Sequence, residues 1–325
     1  MRETAQMPAL TNPLRPALLA ASRSERMERT ISNSKLTRRL VTKFVPGASE
    51  NAAIEAVKSL VGAGRFISVD YLGEDISDAG EADQTVSAYL SLLDAYAGLG
   101  MDAVAGAQPL EVSIKLSALG QSLPGGEELA LTNARIICAA AEKAGSWVNV
   151  DAEDHTTTDS TLRIVRELRQ EFPSVATVLQ AYLHRTEDDC RELAGPGSRI
   201  RLCKGAYKEP AEVAYQRKED VTASYLRCLK ILMEGQGYPM VASHDPQIIS
   251  TAQAYALSTG RDAGKFEIQM LYGIRDAEQS RLIADGLHVR TYLPFGNDWY
   301  GYFMRRLAER PANLVFFFRA LVGSK

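Results

Sequence analysis

The chain has 325 residues, 46% of them hydrophobic and 24% charged, with 37 Lys and Arg against 40 Asp and Glu for a net charge of −3. That is a globular composition. It lacks the basic excess of a nucleic-acid binder, and no stretch approaches the roughly 18 consecutive apolar residues of a membrane span. A nucleic-acid partner and an integral membrane protein are excluded; peripheral contact with a membrane is not.

Residues 1–50 carry nine Lys or Arg against four Asp or Glu. Glu3, Glu25 and Glu28 interrupt what would otherwise resemble a transit peptide, and no apolar core of a secretory signal is present. We expect residues 1–48 to form an N-terminal helical extension packed on a main domain of residues 49–325. The four cysteines, Cys138, Cys190, Cys203 and Cys228, form no CxxC pair. They read as small buried hydrophobes of a reducing, cytoplasmic compartment.

From residue 65 onward a unit recurs: a short β-rich run, polar turn residues, then an amphipathic helical stretch. The runs are 65–71 (RFISVDY), 111–116 (EVSIKL), 147–152 (WVNVDA), 175–182 (VATVLQAY), 199–205 (RIRLCKG), 240–244 (MVASH), 265–271 (KFEIQML) and 288–293 (HVRTYL). Rich in Val, Ile and Leu, they suit strands covered on both faces. Between them, 81–99 places Val86, Leu90, Leu93 and Tyr96 or Ala97 at helical spacing, and 127–144 and 158–170 repeat the pattern. An Asp/Ser/Thr cluster precedes the last of these and is suited to cap it. Gly100, Gly145 and Gly260 fall near helix ends, where glycine takes the left-handed conformation. Eight strand–helix units with right-handed crossovers close into a barrel. The predicted fold is therefore α/β, a (βα)8 TIM-type barrel; a doubly wound open sheet is the alternative. Neither Gly62-Ala63-Gly64 nor Gly195-Pro196-Gly197 develops into GxGxxG, and no P-loop occurs, so neither nucleotide-binding motif is expected.

In such a barrel function sits at the C-terminal ends of the strands. Polar residues gather there: Lys115, Asp151-Ala152-Glu153-Asp154-His155, Gln180, Arg201, Lys204-Gly205-Ala206-Tyr207, Ser243-His244-Asp245, Gln269, Tyr272, Arg290 and Tyr292. Any one of them reads equally well as buried scaffold, but seven strands aiming polar groups at one rim favour a functional site. His155 and His244 with Asp151 and Asp245 have no metal-ligand spacing, and we expect no metal. His184 and His288 read as ordinary hydrogen-bonded histidines. After the turn at 294–298 a helix over 299–310 carries Arg305-Arg306, ordinarily a solvated pair, though two guanidinium forks at this rim suit a carboxylate. Residues 316–318 (FFF) read as core packing or a membrane-touching patch. These residues alone leave three functions open: a cofactor enzyme, an aldolase-like enzyme with a Schiff base on Lys204 or Lys115, or a barrel that binds an amino acid without chemistry.

Three blocks narrow the choice: Arg201-Leu202-Cys203-Lys204-Gly205-Ala206-Tyr207; Gln269-Met270-Leu271-Tyr272-Gly273; and Tyr292-Leu293-Pro294 followed by Arg305-Arg306-Leu307-Ala308-Glu309. In this order, together with the N-terminal stretch ending Phe44-Val45-Pro46-Gly47, the chain resembles the proline dehydrogenase family over essentially its whole length. The resemblance implies a distorted (βα)8 TIM-type barrel that holds FAD, oxidises L-proline to Δ1-pyrroline-5-carboxylate and passes electrons to a membrane quinone. It implies that Arg305 and Arg306 clamp the substrate carboxylate with Lys115, that Asp151 orients the pocket, that Tyr292 packs on the ring, and that Leu271 and Tyr207 close its apolar side. For the flavin it implies Ala152, Gln180, Arg201, Lys204, Gly205, Ala206, Ser243, His244 and Gln269, with Arg201 at the reactive edge in a catalytic role alongside Asp151. Cys203 stands where an aliphatic residue is more usual, and Asp245 where Asn is often seen. Relatives that oxidise hydroxyproline tend to have a smaller residue at Tyr292, so proline is the expected substrate. The length also implies a monofunctional enzyme, cytoplasmic or peripheral on the inner face of the membrane, that releases its product to a separate pyrroline-5-carboxylate dehydrogenase.

Overall fold

The structure, a computed structural model, describes residues 41, 44–73, 76–300 and 302–303. Eight strands form a closed barrel in sequence order, every neighbouring pair parallel. They are β1 (Phe66–Tyr71), β2 (Leu110–Ile114), β3 (Trp147–Val150), β4 (Ala176–Gln180), β5 (Arg199–Cys203), β6 (Tyr238–Ala242), β7 (Glu267–Leu271) and β8 (His288–Phe295). Helix α1 (Glu50–Gly62) leads into β1, and α2 (Ala79–Ala97), α3 (Gly126–Lys143), α4 (Thr158–Glu171), α5 (Thr186–Leu193), α6 (Lys218–Glu234), α7 (Pro246–Thr259) and α8 (Asp276–Ala284) follow the first seven strands. The predicted barrel is the observed one. The expected extension over 1–48 falls almost wholly outside the described residues, as do Arg305, Arg306 and 316–318. At the edge of the described part, Phe44 and Val45 are buried, and the Phe44 ring meets Phe303 at 6.1 Å.

Local chemistry sets the helix ends. Asp78 caps α2 by accepting from the Gly80 and Glu81 N–H groups at 2.8 and 3.1 Å, and Asp245 caps α7 on Gln247 N–H at 3.1 Å. Such caps are each worth about 1 kcal/mol. Gly145 and Gly260 stop α3 and α7 with φ of +64° and +65°, as expected. Three local expectations fail. Tyr89, not Leu90, takes the inward position on α2, leaving Leu90 exposed, because the buried stripe runs through Tyr89, Leu92, Leu93 and Tyr96. The cluster before α4 does not cap it: Asp154 caps a short 3-10 turn by accepting from Thr156 N–H instead. Strand β8 runs past Leu293 because Pro294 and Phe295 still pair in register with Asp70 and Tyr71, and the Phe295 carbonyl accepts from Leu72 N–H at 2.7 Å.

The strands alternate strictly. Ile67, Val69, Val112, Ile114, Val148, Val150 and Leu293 join the helices in one apolar cluster; Leu179, Ile200, Leu202, Val241, Ile268 and Val289 join another. Burying each such side chain is worth about 1.5–3 kcal/mol. The intervening residues fill the barrel and, apart from apolar members such as Val178 and Met240, are polar: Ser68, Asp70, Glu111, Ser113, Asn149, Arg199, Arg201, Glu267, Gln269, Arg290 and Tyr292. The strands are covered on both faces, as the sequence suggests, and the inner face is lined mostly by polar side chains.

Candidate active site

At the base of the barrel, Glu111 accepts from Arg199 at 2.5 Å and from Arg201 at 2.9 Å, while Arg290 grips Glu267 through two bonds of 2.7 and 3.0 Å. Burial would push the Glu111 carboxyl up, but Arg290, Arg199 and Arg201 outweigh it and hold it at about 2. These ion pairs are the floor on which the upper layer stands.

Arg201 spans the two layers. Its Nε donates to Gln269 Oε1 (2.5 Å), Nη1 to Ser113 Oγ (2.8 Å) and Asp151 Oδ1 (2.7 Å), and Nη2 to Ser68 Oγ (3.0 Å) and Glu111 Oε1 (2.9 Å). Five bonds from a planar guanidinium fix its orientation as a Lys side chain could not. Burial works against its charge, yet Asp151 and Glu111 raise its proton affinity above the ordinary value. Asp151 in turn receives Asn149 Nδ2 at 2.9 Å, Ser113 Oγ at 2.8 Å and the Tyr292 hydroxyl at 2.8 Å. Burial, reinforced by Asp151 and Asp70, lifts the Tyr292 phenol well above its usual value, so it stays a donor. Lys115, just past β2, donates to Asp70 Oδ1 at 2.6 Å with little of either side chain exposed. Four carboxylates (Asp70, Glu111, Asp151, Glu267) therefore face four cations (Lys115, Arg199, Arg201, Arg290) inside the barrel. In a low-dielectric interior an unmatched member is expensive, so the set is held as a unit.

The expected substrate residues Lys115, Asp151, Tyr292 and Leu271 come together at the C-terminal rim; Leu271 is the register partner of Tyr292. Tyr207 lies in the loop after β5 and is partly exposed. The expected flavin residues form an arc over β3 to β7. Gln180 donates to the Glu153 carbonyl at 2.8 Å, and Ala152 and Ala206 lie in the flanking loops. Lys204 pairs with Asp245 and Thr222, each at 3.1 Å. Ser243 Oγ accepts from Asp245 N–H at 3.1 Å, and His244 Nε2 accepts from Leu271 N–H at 3.0 Å. Gln269 is bound on both ends, to Arg201 and Glu267. Gly205 has φ +110°, and a Cβ there would come within 2.4 Å of the Tyr182 ring, so only glycine fits the turn.

Burial pushes the Cys203 thiol up to about 11, so it stays protonated at neutral pH; Cys138, Cys190 and Cys228 are buried as expected. His155 is held by Glu209, which also accepts from Tyr182 and joins the β3 and β5 loops. His184 and His288 make ordinary hydrogen bonds, to the Ala211 carbonyl and to Tyr238. Sequence reasoning missed Asp70, Glu111, Ser68, Ser113, Asn149 and Glu267, whose signal is the polar residue at every second strand position, and Glu209, which lies in the loop after β5. A 680 Å³ cavity lined by Trp147, Arg199, Tyr238 and Arg261 opens at the opposite, N-terminal end of the strands. In this fold that end serves stability rather than chemistry, so we place the site at the other rim. Among the described residues no helix is long and apolar enough to cross a membrane.

The proline dehydrogenase family model matches residues 53–319. The proline dehydrogenase of Deinococcus radiodurans is 42% identical over 280 residues, covering 85% of this chain and 88% of that one. Proline dehydrogenase 1 of Bacillus subtilis (strain 168) is 37% identical over 286 residues, 88% and 92% of the two chains. Among solved structures, proline utilization A (PutA) from Bdellovibrio bacteriovorus inactivated by N-propargylglycine shares the fold, with a TM-score of 0.79 and 24% identity over 92% of this chain, which spans 36% of that longer one. A family model that takes in most of the barrel, and relatives matched along nearly their full length, lead to one conclusion: the chain belongs to the proline dehydrogenase family.

Proposed function

We propose that the protein is an FAD-dependent dehydrogenase that oxidises L-proline to Δ1-pyrroline-5-carboxylate and delivers the electrons to a membrane quinone. The observation that carries the reading is the convergence of Lys115, Asp151, Arg201 and Tyr292 at the rim of a barrel of this family. The donor set suits FAD: Lys204 offers a half-exposed ammonium to a phosphate, and Gln180, Ser243, His244 and Gln269 place polar groups on the neighbouring strands. Ala152, Gly205 and Ala206 would bring backbone and small side chains against it. When bound, the flavin supplies the hydride acceptor.

The chain's own residues do the rest. Arg305 and Arg306 clamp the substrate carboxylate, with Lys115 as a third cation. Tyr292 and Leu271 hold the ring, Tyr207 covers it, and Asp151 keeps Tyr292 and Arg201 aligned. Arg201 would offer the site a fixed positive charge, already oriented by its five bonds, so little reorganisation would be needed as charge develops. The product, a cyclic imine acid, leaves for a separate pyrroline-5-carboxylate dehydrogenase. The Schiff-base alternative is disfavoured because the Nζ atoms of Lys115 and Lys204 are engaged in ion pairs, at 2.6 Å with Asp70 and 3.1 Å with Asp245, rather than presented to a carbonyl. The test is Arg306→Met: proline-dependent dye reduction should show a KM raised at least tenfold with the flavin still bound. An unchanged KM contradicts the clamp. Rapid flavin reduction by hydroxyproline but not by proline contradicts the substrate.

A further inference from the structure

Asp70, next to last on β1, lies among the residues proposed to meet the substrate, yet none of the proposed contacts uses it. It is 1% exposed, and its Oδ1 accepts from Lys115 Nζ at 2.6 Å. The groups that face it come from each packed element: Lys115 after β2, Asp151 after β3, Tyr292 on β8 and Tyr89 on α2, with Arg201 across the barrel committed to Asp151 and Glu111. Burial raises its carboxyl to about 6; Lys115 pulls the other way, and Asp151 adds to the rise. Proton affinity at Asp70 is therefore governed by how firmly Lys115 holds it.

Lys115 is also the ammonium proposed to meet the substrate carboxylate. An ammonium shared by two carboxylates stabilises each less, and the arriving anion is itself a like charge beside Asp70. Both effects push the same way, toward the protonated carboxyl. We propose that Asp70 is a proton-coupled positioning residue of the substrate site, taking a proton from solvent as a ring carboxylate binds at Lys115 and returning it when the carboxylate leaves. The inference rests on the carboxylate site proposed above.

The sign follows from linkage. A group that binds its proton more tightly in the complex makes affinity fall as pH rises between its free and bound values. The probe is cyclopentanecarboxylate, which has the ring and carboxylate of the substrate but no amine to titrate. Isothermal titration of the FAD-loaded enzyme in buffers of different ionisation heat, near neutral pH, should show net proton uptake on binding, with Kd weakening by up to about tenfold per pH unit above that. The uptake should vanish in Asp70→Asn, with flavin content retained, while cyclopentanecarboxamide should show none in the unaltered enzyme. Binding without proton uptake, or equal uptake in Asp70→Asn, overturns the role of Asp70 and leaves the carboxylate site standing. If Asp70→Asn does not fold, a pH-independent Kd in the unaltered enzyme is the overturning result. Failure of the carboxylate to bind at all overturns the substrate reading and this inference together.

Discussion

Replacing Glu111 by Gln keeps shape and removes one negative charge from between three buried arginines. Glu111 is fully buried, accepts from Arg199, Arg201 and Ser68, and lies 4.0 Å from Arg290. Two routes give the cost. Breaking a buried ion pair by removing one partner destabilises by about 3–5 kcal/mol. Independently, a carboxyl held at about 2 instead of its ordinary 4.5 contributes about 3 kcal/mol at neutral pH. Because the folded value is the lower one, that contribution is complete above 4.5 and is lost as pH falls through about 2. The amide nitrogen of Gln would in addition oppose a guanidinium donor. Urea unfolding at neutral pH should therefore show Glu111→Gln less stable by about 3–5 kcal/mol, which at a slope of about 3 kcal/mol/M moves the midpoint by at least about 1 M. The loss should shrink as the pH is lowered toward 3. A variant within about 1 kcal/mol of the parent at neutral pH would refute the view that this carboxylate holds the floor of the site.

Three further substitutions probe the rim. Tyr292→Phe deprives Asp151 Oδ2 of its donor; a hydrogen bond to a charged group is worth about 1.5–3 kcal/mol, so kcat/KM for proline should fall at least tenfold, and an unchanged value contradicts the role of the hydroxyl. Gly205→Ala drives a methyl toward the Tyr182 ring at a φ that disfavours alanine; the purified variant should carry well under half the flavin of the parent, and full loading contradicts the placement of the β5 loop at the cofactor. Asp245→Asn keeps a good helix cap but frees Lys204 from a part-exposed ion pair. Such a pair is worth about 0.2–1 kcal/mol, so FAD should bind the apoprotein up to about fivefold more tightly, and weaker binding contradicts the assignment of Lys204 to a phosphate.

The barrel was legible because its strongest signal is repetition. Eight β-rich runs separated by helical stretches leave few closed solutions, and Gly145 and Gly260 marked two helix ends correctly. The ring of polar residues at the rim was legible for the same reason: the end of each strand could be counted. The layer beneath it was not. In RIRLC, EVSIK and HVRTY the polar residue at every second position was visible, yet a run rich in Val and Ile was read only as covered on both faces, with no inner polar layer assigned. Which alternate residue turns inward depends on register with the neighbours, and Asp70↔Ser113 or Val178↔Arg201 cannot be known before the strands are paired. Glu209 was hidden for another reason: it reaches His155 from a separate loop, a contact that only the folded chain creates. The cap of α4 failed because Asp154 found a nearer N–H in the turn before it.

The central claim, that the rim of this barrel carries a flavin reduced by proline, meets its most direct test in the visible absorption spectrum of the purified, FAD-loaded protein before and after anaerobic addition of L-proline. The account predicts an oxidised flavin spectrum that bleaches on addition and returns when a quinone is supplied. A flavin band that stays oxidised with proline would contradict the substrate, and a protein that neither retains nor rebinds FAD would contradict the site itself.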